Sequence, residues 1–265
     1  MSSEKEIIIE ATEKANKREL SLDEAQDLVE RFPESHRANV VLAFLYFQNE
    51  KFIETVKQIN KSQKFGKSVT AFNLSAQAKI NLGRFGEAEK DYLSSFDLDE
   101  NDYMTLINYS AFLSKRGNFT EAIKLIKKSI LLKPNDLSLK VKLVNVYHQS
   151  LDFESAIEFL KNVTKEFPDE YLFFHLLGNS YFKYEKKDAA VSSYKKAIEI
   201  NPNSANSYFN LSTYYYDLKE FSEAILMLEK SIEIRPEWEA PYIQLCFNYY
   251  QQNKFSKFRS NSTYY

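Results

Sequence analysis

Apolar residues along this chain recur with the period of an amphipathic helix, in two alternating sets. Between residues 171 and 204, Phe174, Leu177, Gly178 and Tyr181 fall at i, i+3, i+4 and i+7, one face of a first helix. Ala190, Tyr194 and Ala197 fall at i, i+4 and i+7 on a second helix. Pro202 closes the segment, having no amide hydrogen with which to continue it. The pattern then repeats. Pro134, Pro168, Pro202 and Pro236 are each 34 residues from the next, a spacing that marks a chain built from one stacked supersecondary unit.

The same ruler finds Tyr208, Leu211, Ser212 and Tyr215 with Ala224, Leu228, Ser231 and Pro236. Before it come Leu143, Val144 and Tyr147 with Ala156, Leu160, Val163 and Pro168, then Leu106, Tyr109, Ser110 and Leu113 with Ala122, Ile126, Ser129 and Pro134. Upstream, Ala76, Gly83, Phe85, Ala88, Tyr92 and Ser95 keep the register, with Glu100 where proline would fall. Leu42, Ala43, Tyr46, Phe52 and Ile59 suggest a further unit, one residue short, with Thr55 in the alanine position.

These boundaries predict six repeats: 36–68, 69–102, 103–136, 137–170, 171–204 and 205–238. Ahead of them, Ser21-Leu-Asp-Glu24 reads as a capping box opening a helix that ends near Phe32-Pro33. Residues 4 to 18 would supply its partner, so 1–35 is expected to form a capping helix pair. Residues 239–265 read as an incomplete seventh repeat and tail: Tyr242, Leu245, Cys246 and Tyr249 begin it, but Phe258 stands where alanine should be. That apolar end needs cover from its own tail, a partner, a second copy or a further segment, so self-association through the C-terminal helix is one expectation.

Phe-x-x-Leu-Gly-x-x-Tyr, then Ala-x-x-x-Tyr, then Pro, as they stand from Phe174 to Pro202, resemble the tetratricopeptide repeat. The resemblance runs from about residue 36 to 252. It implies an all-α fold, a right-handed α-solenoid of antiparallel helix pairs. Small positions would then allow close approach, Gly178 near Ala190 and Ala197 toward the next repeat, while Val144 and Val163 predict looser spacing. Phe119, Phe153, Phe221 and Phe255 recur at the start of each second helix and read as repeat core.

In the family, first helices line a concave groove that holds protein ligands. Carried onto this chain, the groove residues are Asn108; Lys142, Asn145 and His148; His175, Asn179 and Phe182; Phe209, Asn210, Thr213 and Tyr216; and Gln244. Asn145 and Asn179 occupy the place where family members carry an asparagine that both donates to and accepts from a ligand backbone. The lysine-rich carboxylate clamp of co-chaperone members is missing, since Val141, His175 and Phe209 stand at its first lysine position. A protein segment held by aromatic contacts and amide hydrogen bonds is expected instead, as an extended strand or an amphipathic helix. The function implied is a non-catalytic interaction scaffold. The alternative is the substrate-presenting portion of a larger enzyme of glycosyltransferase type.

Composition agrees with helices and removes other classes. Hydrophobic residues make up 44%, enough for a packed core, while five Gly and six Pro are too few for a turn-rich β fold. Lys and Arg number 35 against 37 Asp and Glu, so no nucleic-acid partner is expected despite the aromatics. Cys246 has no partner for a disulfide. Ile7-Ile8-Ile9 is too short for a signal or span, so a cytoplasmic location without membrane insertion is expected.

Catalytic and cofactor motifs fail on inspection. Gly66-Lys67-Ser68 has Lys61 where a phosphate loop needs its earlier glycine. His36, His148 and His175 lack a second ligand at metal spacing, and Cys246 sits at a small packing position, which favours an inert thiol. Neither a metal, a cofactor nor an enzymatic activity is expected.

Overall fold

The computed structural model describes residues 3–252 and contains fifteen α-helices, with no strand among the described residues. They fall into two compact units. The first holds α1 (Glu4–Asn16), α2 (Leu22–Arg31), α3 (His36–Gln48), α4 (Phe52–Ser62), α5 (Val69–Asn81), α6 (Phe85–Leu98), α7 (Tyr103–Lys115) and α8 (Phe119–Leu132). The second holds α9 (Leu137–Gln149), α10 (Phe153–Glu166), α11 (Tyr171–Lys183), α12 (Lys187–Ile200), α13 (Ala205–Asp217), α14 (Phe221–Ile234) and α15 (Glu239–Gln251). Phe255, Phe258 and the tail lie outside the described residues.

Helix ends follow from local chemistry. Ser21 and Glu24 form the reciprocal capping box at the start of α2, and Ser3 with Glu6 does the same for α1. Proline follows the last residue of α8, α10, α12 and α14 by two positions, where the chain must leave the helix. Glu100 fills that slot after α6, so the exit does not require proline.

Each first helix turns into its second through one backbone device. The residue at the turn has a left-handed φ: Gly83 (73°), Gly117 (80°), Leu151 (60°), Glu185 (59°) and Lys219 (62°), at a strict 34-residue spacing, preceded by Arg18 (60°) and Glu50 (58°). In every case two amides reach back to the helix end, as Gly83 N–H donates to Ile80 C=O at 3.0 Å and Arg84 N–H to Lys79 C=O at 2.8 Å. That pair is the Schellman arrangement, which satisfies carbonyls the helix leaves open.

Packing within hairpins matches small to large. A Cβ on Gly178 would lie 2.5 Å from Cε1 of Tyr194, so glycine is required because this ring lies flat against the α11 backbone. The three atoms nearest that Cβ all belong to Tyr194, and Ala190 on the same helix is fully buried. Tyr92 stands in the same register on α6, sixteen residues after the buried Ala76 of α5. Val144 pairs with Leu160, a smaller partner, and the backbones of α9 and α10 run further apart than those of α11 and α12. Val144 and Val163 are 0% and 3% exposed, so the added volume spaces the helices without opening a void. Tyr92 and Tyr194, at 1% and 2% exposure, each contribute roughly 1.5–3 kcal/mol by burial.

Candidate functional site

Neighbouring first helices in the second unit are joined by a polar ladder. His148 on α9 meets Ser180 on α11 at 2.7 Å, His175 on α11 meets Ser207 on α13 at 2.9 Å, and Gln244 on α15 donates to Thr213 on α13 at 3.2 Å. Asn179 is the hub. Its Oδ1 accepts from the Tyr194 hydroxyl at 2.8 Å and from Asn210 Nδ2 at 2.7 Å, while its Nδ2 lies 3.2 Å from His175 Nε2. Donation from Asn179 requires His175 Nε2 to be bare, so the His175 proton sits on Nδ1 and points to Ser207.

His175 is buried, 8% exposed, and desolvation lowers its pKa to about 4. Desolvation also lowers His148, with Lys183 adding repulsion of its charged form. Both rings are neutral at physiological pH, and the ladder is held by dipoles rather than charge.

His148, Asn179, Phe182, Asn210 and Thr213 converge on one cleft of about 280 Å3, together with Lys183 and Tyr194. Phe209 lies against Trp238 at 4.7 Å between ring centres, and Tyr216 against Phe221 at 5.6 Å edge to face. Lys142 and Asn145 are exposed on α9 and do not line the cleft. Asn108 belongs to the first unit, where it lines a cleft of about 250 Å3 with Phe85, Phe112, Lys115 and Arg116.

Two of these placements alter the chemistry expected of them. His175 is a buried support rather than an open groove residue, because its ring fills the space beside Tyr194, 5.7 Å away between centres. Asn179 has spent its acceptor on Tyr194 and Asn210, which leaves it a single N–H for a ligand backbone. Tyr194, read from sequence as core, also shapes the site, since its hydroxyl sets the Asn179 amide.

The first unit carries a larger cleft, about 570 Å3, between α1, α3 and the start of α5. His36 helps form its end, with Nδ1 3.0 Å from the Ser62 carbonyl and Nε2 3.0 Å from Ser68 Oγ. Gly66 packs against the His36 ring, so Gly66-Lys67-Ser68 serves a helix junction. Cys246 is half-buried, and burial pushes its thiol up, away from nucleophile chemistry. Among the described residues no cluster of His, Cys, Asp or Glu could hold a metal ion, and no helix is long and apolar enough to cross a membrane.

Models of the tetratricopeptide repeat match residues 69–102 and 205–237, and a further TPR-repeat model matches residues 178–212. Among solved structures, the C-terminal part of a TPR repeat-containing protein from Cytophaga hutchinsonii is similar with a TM-score of 0.72 and 15% identity, over 88% of this chain and 97% of that one. A tetratricopeptide repeat protein from Parabacteroides merdae is similar over 92% and 98% of the two chains, with a TM-score of 0.58 and 14% identity. A MamA protein is similar over 61% and 88%, at 0.51 and 24%. At these identities the likeness is one of fold. No curated protein matches the chain.

Proposed function

Because the chain carries tetratricopeptide repeats in a tetratricopeptide-repeat fold, and such repeats serve protein interaction, we propose that it is a non-catalytic scaffold holding a segment of a partner protein against the first helices of its second unit. The observation that carries this reading is the convergence of His148, Phe182, Asn210 and Thr213 with the remaining Asn179 N–H on one cleft. Aromatic edges there offer apolar contact, and oriented amides offer backbone hydrogen bonds, the two needs of a bound peptide. With both imidazoles neutral, Lys183 is the one charged side chain lining the cleft, so affinity depends only weakly on salt.

Affinity capture followed by mass spectrometry, comparing the wild-type chain with Phe182→Ala/Asn210→Ala, tests the assignment. Partners held by this cleft disappear from the variant while its circular dichroism is retained. Identical partner lists would reject the cleft as the binding site.

A further inference from the structure

Three isoleucines open α1, but the core uses only two of them. Ile8 is 3% exposed, Ile7 rests on the same cluster, and Ile9 stays 44% exposed. Ile9 lines the 570 Å3 cleft of the first unit together with the half-buried Val40 and Phe44 of α3. That volume is in the range of specific binding pockets, roughly 300–1,000 Å3. Arg37 and Lys67 line the same cleft, both exposed and neither in an ion pair among the described residues. Among the residues lining the cleft Glu13 of α1 is the one carboxylate, so the lining keeps an excess of positive charge beside accessible apolar surface.

We infer that this cleft is a second docking site, which takes an acidic segment of a partner protein. A bulky apolar side chain of that segment lies among Ile9, Val40 and Phe44, and an adjacent carboxylate pairs with Arg37 and Lys67. A basic segment would meet two like charges there, and a neutral one would leave both cations unpaired on binding. The site owes nothing to the ladder of the second unit, and salt should matter more here: screening weakens it.

Fluorescence anisotropy of the full chain with synthetic labelled peptides tests this. One peptide carries Leu and Phe anchors flanked by Asp and Glu; a second carries the same anchors flanked by Lys; a third keeps the acidic flanks with Ser in place of the anchors. The first should bind tightest, and raised salt should weaken it. It should lose roughly tenfold in affinity with Ile9→Ser and again with Arg37→Glu/Lys67→Glu, all exposed positions that leave the helical signal intact. Phe182→Ala/Asn210→Ala should leave it unchanged, which separates this site from the cleft of the second unit. Equal binding of the lysine-flanked peptide, unchanged affinity in the Arg37 and Lys67 variant, or no binding of the acidic peptide would each overturn the inference.

Discussion

At positions 79 and 91 the first unit places a lysine and an aspartate, buried and 2.6 Å apart between α5 and α6. Three and four periods of 34 residues later, the second unit has Tyr181 with Ser193 and Tyr215 with Met227 at those positions. The same hairpin is thus closed by a buried ion pair in one unit and by an aromatic ring in the other. The contrast extends to the clefts: the first unit leaves cations beside an apolar one, while the second turns its polar groups on one another through neutral imidazoles and amides. One repeat framework tolerates both, because the hairpin needs filled volume and paired polar groups at these positions, not a particular chemistry.

The largest expected effect breaks the ion pair on one side. Lys79→Ala leaves the Asp91 carboxylate buried without its partner and should cost about 3–5 kcal/mol in denaturant unfolding. Lys79→Tyr/Asp91→Ser, which imports the pattern of the second unit, should recover most of that loss. If the single and double variants unfold alike, the two solutions are not interchangeable.

Acid should act on the second unit. His175 has a pKa of about 4 in the fold against about 6.5 when unfolded, so between those values the unfolded chain binds a proton that the folded chain refuses. Stability is therefore complete above about pH 6.5 and is lost as pH falls toward 4, by about 3 kcal/mol. Trp238, the single tryptophan, packs on Phe209 within this unit, so its fluorescence reports the transition there. His175→Gln should flatten the dependence, and an unchanged profile would mean the ring is not the group responsible.

The smallest effect concerns the turns. The first unit uses Gly83 and Gly117 at two left-handed positions, whereas the second uses Leu151, Glu185 and Lys219. Leu151 is 73% exposed, so its side chain gains little by packing. Leu151→Gly should raise the free energy of unfolding by up to about 1 kcal/mol, while Gly117→Leu should lower it by a similar amount, both read from denaturant melts.

Much of this was legible in the residues. The 34-residue spacing of proline and the helical spacing of Leu177, Gly178 and Tyr194 point to paired helices without any structure. The groove residues are carried over from the family resemblance, and of them His148, Asn179, Phe182, Asn210 and Thr213 line one cleft. The ladder was not legible at that spacing, because its partners are two or three residues out of phase with it: His148 to Ser180 and His175 to Ser207 are 32 apart, and Asn179 to Asn210 is 31. A search for polar pairs slightly short of the period would have found them. Asn73 with Thr105 and His36 with Ser68, both 32 apart in the first unit, follow the same offset.

The sequence by itself determined that these helices form, where they end and which faces meet, since periodicity, caps and proline act locally along the chain. Only the tertiary structure decided which polar groups remain open to a partner. That depends on how far one first helix is shifted along the next, a packing outcome set by pairs such as Gly178 and Tyr194 from separate helices. It is why Asn179 is largely occupied, and why the open apolar surface with Arg37 and Lys67 lies beside Ile9, in a stretch that reads from sequence only as a cap.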